Sequence, residues 1–263
     1  MNVSIDKIEQ ESWKDSAIHN LDGRIKLILT IMIIVYSVYT TDLIILLILE
    51  IYLIILLLIS KVSIGFFAKR ILLILPFGGF LAVFQPFIKP GAILYTLPLG
   101  LTITYDGVLF GVLLISRLIV CLSAIVLLSS VTPIETIVNS MRKLGFPKIM
   151  SMILSMTIRY LFVFYDELDT IRKAQKSRSF SIWNKKTSYF WRLKQVGYTI
   201  MMLFLKSFEK GEKVYYSMLS RGYTGESVSY RKENPIMKMD YLFLILTLIL
   251  VFSIEIIHLN GII

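Results

Sequence analysis

The sequence predicts an all-α integral membrane protein, with about five transmembrane helices and a helical cytoplasmic domain built on two long crossed helices. Three observations lead there. Of 263 residues, 56% are apolar and only 17% charged, where a soluble domain has about a quarter charged residues. Apolar runs such as Leu43–Ile59 and Tyr241–Ile257 are long enough for a bilayer, which takes roughly 17–25 residues per helix. The net charge of +10 is also confined: residues 131–240 carry 19 Lys+Arg against 9 Asp+Glu, and the rest of the chain balances. A soluble enzyme is excluded. So is a disulfide scaffold, because the single cysteine, Cys121, sits inside an apolar run. The first twenty residues are polar and acidic and show no cleavable signal pattern.

Five spans are expected at 24–40, 42–60, 71–90, 108–130 and 241–259. They divide the chain into a cytoplasmic N-terminal segment (1–23), a four-span region (24–130), a basic cytoplasmic domain (131–240) and a C-terminal span (241–263). Spans one and two meet at Thr40-Thr41-Asp42 as a tight hairpin. Arg24 and Lys26 precede it and Lys61, Lys69 and Arg70 follow it, and cytoplasmic loops carry the excess of Lys and Arg. Span three contains Pro76, Gly78, Gly79 and Pro86, so a kink is expected, with neighbouring helices satisfying the freed backbone groups. Ile88–Asp106, with Lys89, Gly91, Pro98 and Gly100, reads as an external loop. Span four returns to the cytoplasm, the basic domain stays there, and span five leaves the C-terminus outside.

Glu50, Arg117 and Glu255 fall within spans. Glu50 lies roughly 12 Å and Arg117 roughly 13 Å from the outer ends of their spans, at 1.5 Å per residue. Opposite charges at matching depth predict an intramembrane brace, since isolated charges in hydrocarbon are costly.

The basic domain contains two long helical patterns, Lys148–Arg178 and Thr187–Ser220. The first opens after Gly145-Phe146-Pro147, a helix-start signal. Its initial half (Met150, Met152, Ile153, Met156, Tyr160, Phe164) is apolar enough to lie against or partly in the membrane. Asp166-Glu167-x-Asp169 reads as a solvated face, with Arg172 and Lys173 a turn further on. In the second helix, Ile200, Phe204, Ser207, Gly211, Val214 and Met218 follow the 4-3 spacing of a packing seam. The helices end alike, in Ser177-Arg178-Ser179-Phe180 and Ser220-Arg221-Gly222-Tyr223. Small neighbours leave each guanidinium free to grip a carboxylate or the carbonyls of a partner. Two capped helix ends with solvated arginines are the plainer alternative. Gly222 is suited to the left-handed terminating position.

The stretch Phe204–Gly225, ending in Ser217-Met218-Leu219-Ser220-Arg221-Gly222-Tyr223-Thr224-Gly225, resembles the transmembrane T component of energy-coupling factor (ECF) transporters. The likeness is greatest to the cobalt-type CbiQ branch and its Ala-Met-x-Ala-Arg-Gly-Tyr-x-Gly ending. His19-Asn20-Leu21-Asp22-Gly23-Arg24-Ile25-Lys26 is similar to that family's His-x-Leu-Asp-Pro-Arg-x-Lys, and Tyr105-Asp106-Gly107 followed by Arg117 to its acidic-Gly entry to an arginine-bearing span. Serine stands for alanine at 177 and 220, and glycine for proline at 23.

The resemblance implies a non-catalytic subunit in a prokaryotic plasma membrane that joins two cytoplasmic ATP-binding-cassette ATPases to a separate substrate-binding membrane subunit. It places the ATPase-coupling residues at Ser177, Arg178, Ser179, Ser220, Arg221 and Gly222. The methionine clusters Met150/Met152/Met156 and Met201/Met202 would face the substrate-binding subunit, methionine being suited to surfaces that repack. The substrate it favours is cobalt or nickel ion, with vitamin uptake through a shared module as the alternative. No Gly-Lys pair occurs in the sequence, so the P-loop route to ATP is not available to it. His19 and His258, the only histidines, support neither a metal site nor a triad, and no cofactor is expected. Two rivals stand beside this reading: a permease of another ABC class, and a membrane-anchored protein whose basic domain binds anionic lipid or nucleic acid. The T component is favoured, with no nucleic-acid partner.

Overall fold

The computed structural model describes Ser16 and residues 18–96, 102–181, 187–225 and 237–259. Pro98, Gly100, most of the N-terminal segment and the extreme C-terminus lie outside the described residues. The chain divides into two compact units, Met1–Ser140 with Glu233–Ile263, and Met141–Lys232. The first contains α1 (Gly23–Tyr39), α2 (Leu43–Ser60), α3 (Ile64–Ile88), β1 (Ile93–Thr96), β2 (Thr102–Thr104), α4 (Tyr105–Val131), most of α5 (Ile134–Lys143) and α8 (Lys238–Leu259). The second is built on α6 (Lys148–Ser177) and α7 (Tyr189–Ser220).

The expected spans coincide with α1, α2, α3, α4 and α8, with α3 starting seven residues before position 71, but α1, at 17 residues, is not among the helices long enough to cross a membrane, whereas α6, expected in the cytoplasmic domain, is. Helices α2, α4, α6 and α8 are long and apolar enough to cross a membrane, and α3 joins them as one bent span. Helix α2 shows why. One face (Ile45, Leu46, Leu49, Leu53, Leu56, Leu57) is buried, while Ile44, Leu47, Ile51, Ile54 and Leu58 are equally apolar and exposed. A helix apolar all round needs lipid on the side that protein does not cover. The buried face meets Val120, Ala124, Leu127 and Val131 of α4 and Ile33 of α1, which makes α4 the central helix of the bundle.

Helix α8 closes on α1 through polar contacts. The Asp22 backbone N–H donates to Asp240 Oδ1 (2.8 Å), and Tyr36 Oη donates to Glu255 Oε2 (2.7 Å). Asp22 also caps α1 by accepting from the Arg24 backbone N–H. Lys26, nearly buried, donates its ammonium to the His19 carbonyl at 3.0 Å.

Helix α3 bends by 42° between Pro76 and Gly78, as a proline that removes an intrahelical donor would cause. Pro86 likewise leaves the Ala82 carbonyl without its helical donor. That carbonyl lies against Gly111 of α4, where a Cβ would approach it to 2.8 Å. Gly107, one turn earlier, has the Gln85 carbonyl 2.7 Å from its Cβ position. Glycine at both positions lets α4 approach the broken part of α3 closely enough to shield it. The connection after α3, expected to be an external loop, contains a small antiparallel hairpin pairing Ile93 with Thr104 and Thr96 with Thr102. Strands this short carry little periodicity, so the pattern was not visible in the sequence. The hairpin has a clear purpose: Thr104 Oγ1 donates to the carbonyls of Pro86 (3.1 Å) and Lys89 (2.7 Å), and the first would otherwise be orphaned because Pro90 has no N–H.

Gly107→Val and Gly111→Val, which push side chains into backbone, should each destabilise the bundle by about 1–3 kcal/mol. Gly65→Ala, with open space around it, should be neutral. Melting of the detergent-solubilised protein followed by size-exclusion chromatography distinguishes them; equal melting of all three would contradict this packing.

Candidate functional site

The two arginine tetrapeptides fold into the same helix-ending device. At the end of α6, Ser179 adopts φ +60°. Its N–H donates to the Lys176 carbonyl (3.0 Å) and the Phe180 N–H donates to the Gln175 carbonyl (3.0 Å). At the end of α7, Gly222 adopts φ +81°, its N–H donates to the Leu219 carbonyl (2.9 Å), and the Tyr223 N–H donates to the Met218 carbonyl (3.1 Å). Both are Schellman caps, with arginine at the last half-helical position, a left-handed residue next and an aromatic after it. The serines match as well: Ser177 Oγ donates to the Lys173 carbonyl and Ser220 Oγ to the Tyr216 carbonyl. The left-handed Ser179 was not foreseen, because serine in place of glycine gives no signal for it.

A third cap shows what the arginines are not needed for. At the end of α5, Gly145 (φ +100°) donates to the Arg142 carbonyl and Phe146 to the Met141 carbonyl. The position equivalent to the arginines is Leu144. Helix termination is therefore complete without a cation there. In both tips backbone N–H groups bond carbonyls of the last turn, those of Gln175 and Lys176 and of Met218 and Leu219, and Arg178 and Arg221 are exposed. No described residue bonds or ion-pairs with either guanidinium.

Helices α6 and α7 meet antiparallel. Gln175 Nε2 donates to Thr199 Oγ1 at 2.6 Å, and Lys206 Nζ bonds Glu167. Phe180 packs edge-on against Trp191 with ring centroids 5.6 Å apart. The packing seam read from the sequence coincides with the covered face only in part: Ser207, Val214 and Met218 are half-buried, whereas Ile200 and Phe204 are exposed and Gly211 has open space around it. The face in use is one position earlier, through Thr199 and Lys206. That row carries Thr199, Lys206, Lys210 and Lys213, so no apolar period marks it in the sequence. Within the acidic cluster, Asp169 pairs with Lys173 (2.9 Å) as expected, whereas Glu167 turns to α7. The antiparallel contact separates the tips. Arg178 lies within a turn of Gln175, and Arg221 lies 22 residues beyond Thr199, about 33 Å along α7.

The intramembrane brace between Glu50 and Arg117 is not formed. Arg117 donates through Nε (3.1 Å) and Nη2 (2.5 Å) to the Thr40 carbonyl at the end of α1. Glu50 Oε1 accepts from Ser123 Oγ at 2.8 Å, and Oε2 is buried without a partner among the described residues. The physical reason is a register offset. Helix α4 begins at Tyr105 and extends past the α1–α2 turn, so Arg117 lies level with Thr40. The α4 residue opposite Glu50 is six positions deeper, about 9 Å. The turn at 40–42 leaves helix-end carbonyls that need donors, and a guanidinium supplies two. Among the described residues, no group of three or more His, Cys, Asp or Glu is placed to hold a metal ion.

The apolar bundle, with its satisfied helix breaks, defines a multi-pass α-helical membrane protein that carries a second helical unit with two arginine tips. The chain belongs to the CbiQ family, described as cobalt transport protein, which it matches over residues 14–231. It is 30% identical over 239 residues to an uncharacterised protein of Methanocaldococcus jannaschii, covering 89% of this chain and 80% of that one. It is 27% identical over 229 residues to the energy-coupling factor transporter transmembrane protein EcfT of Staphylococcus aureus, covering 83% and 84% of the two chains. A Methanocorpusculum labreanum protein named as a fused cobalt transport protein CbiMQ is 27% identical over 152 residues, 57% of this chain and 24% of that one.

A double-mutant cycle tests the reassigned contacts. Glu50→Gln and Arg117→Leu should add within about 0.5 kcal/mol, as independent sites do, with Arg117→Leu the more harmful. Glu50→Gln and Ser123→Ala should couple more strongly. A large coupling between Glu50 and Arg117 in detergent melting would restore the brace.

Proposed function

We propose that this chain is the transmembrane coupling component of an ECF-type importer, a non-catalytic subunit that passes motion from two cytoplasmic ABC ATPases to a separate substrate-binding membrane subunit. The observation that carries this reading is the pair of identically capped tips, each presenting an arginine that its own helix does not need. A guanidinium offers five donors in a planar fork and keeps its charge when desolvated, so it can bond a carboxylate or the carbonyls of a neighbour's helix end. Held at a rigid helix terminus, it moves with that helix. Removing one partner of such a buried, charge-assisted contact costs about 2–5 kcal/mol.

Two tips more than about 33 Å apart along α7 suit one ATPase each better than two contacts on a single subunit. A permease of another ABC class would usually need one such element. The coupling residues are Ser177, Arg178 and Ser179 on α6, and Ser220, Arg221 and Gly222 on α7. In this reading the second unit is cytoplasmic, the N-terminus is cytoplasmic and the C-terminus external. The family description favours cobalt, or chemically similar nickel, bound by the neighbouring subunit. A shared module serving vitamin uptake is the alternative, and the relatives named EcfT leave it standing.

Arg178→Ala and Arg221→Ala should each weaken ATPase co-purification and ATP-dependent uptake, and the double change should abolish uptake while membrane insertion and melting stay unchanged. Unaltered uptake in the double variant, or wild-type protein that copurifies with no ATPase, would overturn the proposal.

A further inference from the structure

The proposed coupling role uses six residues at the two helix tips of the second unit and leaves the stretch between them unexplained. Between Asp169 and Glu209 the sequence contains no acidic residue, while nine Lys and Arg occur there. Within this stretch, the start of α7 exposes aromatic and aliphatic surface over nearly three turns: Tyr189 is 66% exposed, Phe190 79%, Leu193 53% and Tyr198 56%. Large apolar side chains in that density on one helix mark an interaction surface.

The cations are interleaved with the rings rather than set on an opposite face. The Arg192 guanidinium lies over the Tyr189 ring (5.9 Å to the centroid) and the Lys194 ammonium near the Tyr198 ring (5.8 Å). Aromatic rings with a polar edge, combined with Lys and Arg, favour the headgroup layer, where one end of each group is apolar and the other wet. A run of cations without any carboxylate adds attraction to negative headgroups.

We propose that the first turns of α7, Tyr189 to Tyr198, form a seat for anionic phospholipid, with the rings entering the headgroup layer and the exposed Lys194 meeting lipid phosphate. A protein partner would also cover the apolar area. Charge complementarity selects lipid, since the acid-free cationic first turns of α7 fit a uniformly negative surface without pairing each charge. The seat has a mechanical consequence. Trp191, in the middle of it, packs on Phe180, the aromatic of the Arg178 cap, so lipid bound there steadies that tip. The seat does not depend on the coupling role and is tested on this chain alone.

The full-length chain with Trp13→Phe and Trp183→Phe, leaving Trp191 as the only tryptophan, is reconstituted in nanodiscs of equal parts phosphatidylcholine and phosphatidylglycerol. Either lipid in turn carries brominated acyl chains. Brominated phosphatidylglycerol should quench Trp191 at least about twofold more than brominated phosphatidylcholine, because each cation near an anionic surface adds attraction. Lys194→Gln alone, and with Arg192→Gln, should move the ratio toward one, and Lys194→Arg should preserve it. Equal quenching by the two lipids in the parent would overturn the anionic seat. Absence of quenching by either would show that the start of α7 does not meet lipid, and would overturn it too.

Discussion

Helix ends and helix breaks within a bilayer leave carbonyls that water does not reach, and this structure is organised around what satisfies them. Inside the bundle the donors are side chains. Arg117 serves the end of α1 at Thr40, and Thr104 serves the end of α3, where Pro90 has no N–H to offer. An unmet polar group in hydrocarbon costs several kcal/mol, so these residues are committed to the fold. At the tips of α6 and α7 the same need is met by backbone N–H groups in Schellman caps. The arginines there are spared. One residue type is thus structural at position 117 and available at 178 and 221, and the difference lies in what else caps the helix.

This division makes the two tips credible as docking elements. A guanidinium engaged with its own helix would have to break that contact before gripping another protein. Arg178 and Arg221 are already exposed on ordered ends. The antiparallel contact, fixed by Gln175–Thr199 and Lys206–Glu167, gives the ends different outlooks, so a displacement applied to one helix is felt by the other through a short, polar crossing.

Much of this was legible in the sequence. The second to fifth spans, the proline bend in α3, both long helices and their repeated endings follow from hydropathy, Pro and Gly placement and a four-residue pattern, whereas the length and apolarity of α6, enough to cross a membrane, were not read. The rest depended on registers that no local pattern encodes. Depth counted from the expected ends of spans put Glu50 opposite Arg117, but α4 extends beyond the α1–α2 turn and shifts the match to Ser123. The contact face of α7 passes through Thr199 and Lys206, one position before the expected row, and polar residues there give no apolar period to read. Helix α5, only ten residues long, and the β1–β2 hairpin are too short to stand out from their surroundings. Ser179 has no left-handed signature of its own, and its conformation emerges only from comparison with Gly222.

The most direct measurement is proximity at the tips in the assembled complex. With Cys121→Ser as background, Ser177→Cys or Ser220→Cys carries a short photo-activated cross-linker in native-like membranes. Each tip is predicted to capture an ATPase subunit, with both positions together capturing two. Tips that label freely yet capture no ATPase, in complexes where ATPases are present, would contradict the central claim.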